Sequence, residues 1–209
     1  MKNIVLLQKA LGKDWGKLPS VIQRHYSVPT NATTCLQGNM EIGFPTFLLP
    51  LISLIHLCGG LVLRRGTDIH TLVEKTVSKQ QAELHWKRTL TYPDNKKDYF
   101  YSKMIYLQDH ELIETVRFGF GLRLKVSVEK GNLVYCSNGH IWQYGKFRIT
   151  IPDWLVLGKA MIIETPISDQ QFKLDFSIKH PLWGKCYWYH GVFQYCDNDQ
   201  IRCRLADAR

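Results

Sequence analysis

The chain has 209 residues, 45% of them hydrophobic and 22% charged, with a net charge of +9 at pH 7. That balance excludes a disordered or low-complexity chain and supplies apolar mass for a sizeable core, so one domain over 1–209 is expected. The cations are scattered, the densest groups being Arg64-Arg65, Lys87-Arg88 and Lys96-Lys97. No reading motif accompanies them, which argues for loose attraction to anionic surfaces and against specific nucleic-acid binding.

The first part, residues 1–60, reads as a mostly helical layer. Ile4, Leu7 and Leu11 suit one face of a helix over 3–11, and Leu18, Val21, Ile22 and Tyr26 suit another over 18–26. A loop with Pro29 follows, then a strand over 33–43. Asn31-Ala32-Thr33 matches a glycosylation acceptor but has no signal-peptide pattern before it. The stretch FPTFLLPLISLIHLCGGLVL, 44–63, runs without a charge for the length of a membrane span. Pro45, Pro50, His56 and Gly59-Gly60 interrupt it, so a core helix over 45–58 fits better than a span, with a membrane anchor kept as an alternative.

From residue 69 the period changes to two. Strands are expected over 69–78, 82–91, 98–108, 111–118, 121–129, 132–137, 140–151, 158–165, 171–179 and 184–195, separated by turn signals such as Pro93-Asp94-Asn95, Lys130-Gly131-Asn132 and Ser168-Asp169-Gln170. Connections this short mean an antiparallel meander over 61–196, followed by a tail over 197–209. The fold class is therefore mainly β, a barrel-like or strongly curved sheet with N-terminal helices packed over one side; a meander this long curls or closes, and the barrel is favoured.

Alternation places polar residues where a core is expected. In LHWKRTL, Trp86 and Arg88 share a face with Leu84 and Leu90. In LIETVRF, Glu114 joins Leu112, Val116 and Phe118, and in AMIIET, Glu164 joins Ala160 and Ile162. An unpaired buried charge costs several kcal/mol, so Arg88 is expected to pair with Glu114, Glu164 or both. The last strand is aromatic on both faces, with Tyr187, Tyr189, Phe193 and Tyr195 on one and Trp188, His190 and Val192 on the other. One face is expected to line the interior while helices cover the other.

The polar set Trp86, Arg88, Glu114, Phe118, Glu164, Tyr187 and Tyr189 thus marks a pocket for an apolar or amphipathic small molecule or lipid. An acid–base role for Glu114 and Glu164 is the alternative. The histidines lack metal-ligand spacing and no phosphate-binding glycine pattern occurs, so neither metal nor cofactor is expected. The six cysteines, at 35, 58, 136, 186, 196 and 203, show no CxxC pair and read as reduced thiols of a cytoplasmic protein, with peripheral membrane contact as a further option.

The motifs LPSVIQRHY, WKR, LIETVRFG, IPDWLVL, IIET, F-x-L-x-F and HPLWGKCYWYHGVF, in this order over about 18–195, resemble the bacterial family called domain of unknown function 4166. Trp86 and Arg88, Glu114 and Gly119, Pro152 and Leu155, Glu164, then Pro181, Gly184, Tyr189 and Gly191 occupy that family's pattern. The arginine that the pattern carries directly after the glutamate is displaced here to Arg117. No activity is established for the family. Joining of some relatives to a nicotinamide-dependent reductase-like module or to membrane segments implies a lipid-like ligand and a reductase-like partner.

Overall fold

Among the described residues the chain forms eleven strands: β1 (Thr34–Gly43), β2 (Gly66–Val77), β3 (Leu84–Thr91), β4 (Lys97–Gln108), β5 (Glu111–Thr115), β6 (Phe120–Glu129), β7 (Asn132–Tyr144), β8 (Phe147–Ile151), β9 (Lys159–Pro166), β10 (Gln171–His180) and β11 (Gly184–Tyr195). The computed structural model describes residues 5–29, 32–78 and 83–196. Its strands pair antiparallel in the order β6-β5-β4-β3-β2-β1-β11-β10-β9-β7-β8, and a further pairing of β6 with β7 closes the ring. Ten strands thus make a closed barrel, with β8 an appendage on β7. Closure pairs the edges that an open meander would expose.

Register fixes the inward set. Cross-strand partners share a face, so Lys75↔Trp86, Trp86↔Ser102 and Met104↔Glu114 carry one inward row from β2 to β5. Leu174↔Glu164, Phe176↔Tyr189 and Phe172↔Phe193 carry it through β9, β10 and β11.

Helices close the two ends. At one end lie α1 (Leu6–Leu11) and α2 (Ser20–Tyr26), joined by a 3-10 turn over Gly12–Lys17. The buried face of α2 is Val21, Ile22, His25 and Tyr26, the helical spacing that turns these side chains into the barrel. The Ala10 carbonyl accepts from the His110 amide at 2.9 Å, and the Tyr195 hydroxyl donates to the Val21 carbonyl at 3.0 Å. At the opposite end the insert between β1 and β2 folds over the mouth. It carries α3 (Leu49–Leu57), with Ile52 buried, and the Tyr187 hydroxyl donates to the Val62 carbonyl at 3.0 Å.

The uncharged stretch 44–63 is thus a nine-residue helix with chain on either side. Pro45 starts it through a 3-10 turn and Gly59, at φ 77°, ends it. No helix among the described residues is long and apolar enough to cross a membrane.

Four sequence expectations are corrected. The strand expected over 111–118 stops at Thr115, because the chain turns over Arg117–Gly119 with Phe118 at φ 56°. The break expected at 137–139 is a bulge at Gly139 (φ 99°) inside a continuous β7, and the hairpin falls at Gly145 instead. The outer face of β11, expected beneath helices, is open, and Val192 is exposed there. The thiols are not all reduced either: Cys35 and Cys196 form a disulfide, while Cys58, Cys136 and Cys186 are free. Asn31, Cys203 and the tail over 197–209 lie outside the described residues.

One turn has no tolerance for a side chain. Gly158 sits at φ 98°, and a Cβ there would strike the Lys179 carbonyl and the His180 backbone; a Cβ at Gly145 (φ 59°) would meet open space. Gly158→Ala is expected to lower unfolding free energy by about 3 kcal/mol in urea titrations, against about 1 kcal/mol for Gly145→Ala.

Candidate functional site

The barrel interior is polar at its α2 end. His25 and Tyr26 reach in from α2, Lys75 from β2, Trp86 from β3, Tyr135 from β7 and Glu164 from β9, and all six are buried. The Lys75 ammonium donates to the His25 carbonyl and meets His25 Nδ1 at 2.9 Å. Since an ammonium has no lone pair, Nδ1 accepts, which leaves the proton of a neutral imidazole on Nε2. That nitrogen faces Glu164 Oε1 at 3.9 Å, and the Tyr26 hydroxyl donates to the same oxygen at 2.7 Å. The second carboxylate oxygen of Glu164 and the indole nitrogen of Trp86 are buried with no hydrogen-bond partner among the described residues.

Burial governs the charges of this floor. Desolvation brings Lys75 down to about 7, with Glu164 pulling upward and Arg88 downward. It pushes Glu164 up to about 7, against the Tyr26 hydrogen bond and the fields of Lys75 and Arg88. His25 is held well below the usual imidazole range by burial, then by the Lys75 and Arg88 cations. Tyr26 and Tyr135 are pushed well above the usual phenol range, by burial first and the Glu164 charge next.

Above the floor, one wall is charged. The Arg88 guanidinium donates from Nη1 to Ser102 Oγ at 2.8 Å and from Nη2 to Glu114 Oε1 at 3.3 Å, and Ser102 Oγ donates to the same oxygen at 2.6 Å. The guanidinium also lies 4.9 Å from the Trp86 ring centroid and 5.1 Å from that of Phe100. Arg88 and Glu114 are not sealed: their side chains are 22% and 15% exposed.

The opposite wall is apolar. In the strand order, β10 lies across the ring from β4. There Phe176 stacks on Tyr189 with centroids 4.5 Å apart, and Ile162, Leu174 and Tyr189 are partly buried, as are Leu122 and Phe100 nearer the charged wall. Burial raises the Tyr189 phenol, so it stays neutral. Inward-facing side chains on both walls are thus only partly buried, while those of the floor are buried.

The structure brings together Trp86, Arg88, Glu114, Glu164 and Tyr189. Tyr187 stands nearer the α3 end, stacked on Phe44 at 5.8 Å. Phe118 is outside the lumen, 72% exposed on the turn after β5. Arg88 pairs with Glu114 and not with Glu164, because β3, β4 and β5 are neighbours while β9 lies across the barrel. Sequence reading missed Lys75, Ser102 and His25. Lys75 was signalled by parity, as Ile69, Thr71, Val73, Lys75 and Val77 form one row, and Ser102 by its place between Phe100 and Met104. His25 lies on the buried face of α2 beside Tyr26. Among the described residues no group of three His, Cys, Asp or Glu side chains stands together as a metal site.

Residues 18–193 match the family model for the domain of unknown function DUF4166. The chain belongs to that family. The match begins just before α2 and ends in β11, so the DUF4166 region contains the barrel, its polar floor and both walls. Neither curated proteins nor solved structures give a match.

Proposed function

We propose that this DUF4166 barrel binds one amphipathic, lipid-like molecule in its lumen, with the molecule's polar end at Arg88 and its apolar body along Ile162, Leu174 and Tyr189. The reading rests on inward side chains of opposite character that are only partly buried, Arg88 and Glu114 on one wall and Ile162, Leu174 and Tyr189 on the other. A ten-stranded barrel is wide enough for a ligand, and such sites combine apolar walls with a few convergent polar groups. Arg88 presents a rigid fork of donors suited to a carboxylate or phosphate.

An acid–base enzyme is supported less well. Glu164 is near neutrality, as a proton-transferring group needs, but it is buried beneath α2. Glu114 is held by Arg88 and Ser102 on the other wall.

The test is titration with a fluorescent long-chain fatty acid, beside native mass spectrometry of the purified protein. One-to-one binding is expected. Arg88→Leu should weaken it tenfold or more, on the order of the loss of one buried charge-assisted contact. Lys87→Leu, on the outer face of the same strand, should leave it unchanged. A wild-type chain that binds no fatty acid and flies bare removes the proposal, as does equal loss in the two variants.

A further inference from the structure

The barrel end that carries α3 presents a second surface, outside the lumen. Besides the β1–β2 insert and the β3–β4 turn, antiparallel order places four further connections there: the turn after β5, the β7–β8 hairpin, the link from β8 to β9 and the turn from β10 to β11. They are neighbours in space. Gly119 packs against the Gln143 backbone, His180 Nε2 meets the Trp154 carbonyl at 2.9 Å, and the His180 and Trp183 rings stack at 4.1 Å.

Large apolar side chains project from these connections into solvent: Phe118 at 72%, Phe147 at 71%, Trp154 at 61% and Leu182 at 83% exposed, with Leu155 and Trp183 beside them. Single exposed apolar residues are ordinary, whereas a group that includes two tryptophans at one end of a molecule marks a contact surface. Cations accompany them. Arg117, Lys146, Arg148, Lys159, Lys179 and Lys185 are exposed in the same segments or at their borders. Within these four connections the acid is Asp153, which is turned to His140 at 3.1 Å and to Ser137.

We propose that this rim docks the protein on an anionic lipid bilayer, with aromatic and leucine tips at headgroup depth and lysines and arginines against lipid phosphates. Charge complementarity selects the occupant. A second copy of the chain would bring six cations against six, and a protein-binding core is ordinarily depleted in lysine. Indole rings between apolar and wet surroundings, flanked by long cationic side chains, suit the bilayer interface. The docking is peripheral and uses loop tips, not residues 44–63 as a span. It stands apart from the lumen proposal: a chain that binds vesicles but no fatty acid retains this inference and loses the other.

The experiment is co-sedimentation of the full chain with vesicles of phosphatidylcholine alone, and of phosphatidylcholine and phosphatidylglycerol in equal parts. Binding is expected to the anionic vesicles and to fall with added salt. Lys146→Glu/Lys159→Glu/Lys185→Glu should weaken it about a hundredfold, at roughly a few-fold per lysine lost. Lys13→Glu/Lys125→Glu/Lys130→Glu, with the same net charge but away from the rim, should change it little. Trp154→Ser/Leu182→Ser should abolish the part that survives high salt, with circular dichroism showing that each variant is folded. The proposal is overturned if wild type does not sediment with the anionic vesicles, if rim and control triples lose binding equally, or if the rim variants change only the oligomeric state.

Discussion

Reduction of the Cys35–Cys196 disulfide is expected to cost about 5 kcal/mol of stability, enough to lower the melting midpoint by roughly 10–20 °C. The two cysteines are 161 residues apart, and chain-entropy loss in the unfolded state grows with the logarithm of the closed loop. The bond sits where the loop matters most. β1 and β11 pair through Leu36↔Tyr195, and the Cys196 amide donates to the Cys35 carbonyl at 3.1 Å, so the bridge continues the ladder that joins the first strand to the last. Without it, that seam must zip at the entropic cost of closing a loop of 161 residues out of 209. Thermal melts with and without dithiothreitol measure the effect, and Cys35→Ser/Cys196→Ser should melt like the reduced wild type under both conditions. Coincident melts of oxidised and reduced wild type would show that the seam does not depend on the bridge. Cys58, Cys136 and Cys186 are free, so loss of a disulfide among the described residues has one source.

Why the disulfide escaped the sequence, while the barrel did not, is a matter of range. Period-two alternation is local: Leu122, Leu124 and Val126 against Arg123 and Lys125 reads as a half-wet strand from five residues, and short turns make successive strands partners. The same parity placed Trp86, Arg88, Glu114 and Glu164 inward correctly. It failed at Phe118, where the alternation runs past the true strand end. The reversal there depends on a positive φ at a bulky residue, a conformation that only Gly119 hints at in the sequence. Partners are harder to read than faces. Arg88 could reach for either glutamate until ring order put Glu114 two strands away and Glu164 across the lumen. Lys75 was equally legible by parity, yet a lone lysine in an amphipathic strand is ordinarily a solvated residue. Only the lid formed by α2 turns it into a buried cation, and helix docking leaves no local mark.

That buried cation should impose a stability minimum near neutral pH. Lys75 titrates at about 7 in the folded chain, below its ordinary value, so between about pH 7 and 10 the unfolded chain binds more protons and stability rises with pH. Glu164 is raised to about 7, so between about pH 4.5 and 7 the folded chain binds more protons and stability falls as pH rises. The acid arm spans about 3–4 kcal/mol and the alkaline arm about 4–5 kcal/mol, since a proton bound by one state and not the other changes stability by about 1.4 kcal/mol over each pH unit. The two arms meet where both groups are half-charged. Lys75→Met/Glu164→Gln removes both, because methionine fills the lysine stem's volume and the amide still accepts from Tyr26. The double variant should therefore gain most over wild type at pH 7, by a few kcal/mol, and less at pH 5 or 9.5; urea titrations at these three values decide it. A difference that does not vary with pH would mean that Lys75 and Glu164 do not change protonation inside the fold. The single variants separate the arms: Lys75→Met should flatten the alkaline one and leave the acid one, and Glu164→Gln the reverse. A lumen floor that resists charge at neutral pH has a consequence for the ligand as well. An anionic group lying over Lys75 would favour its protonated form, so fatty-acid binding should take up protons near pH 7 and weaken as pH rises toward 9. Glu164, being driven toward neutrality by burial, would oppose such a ligand less than a surface carboxylate does.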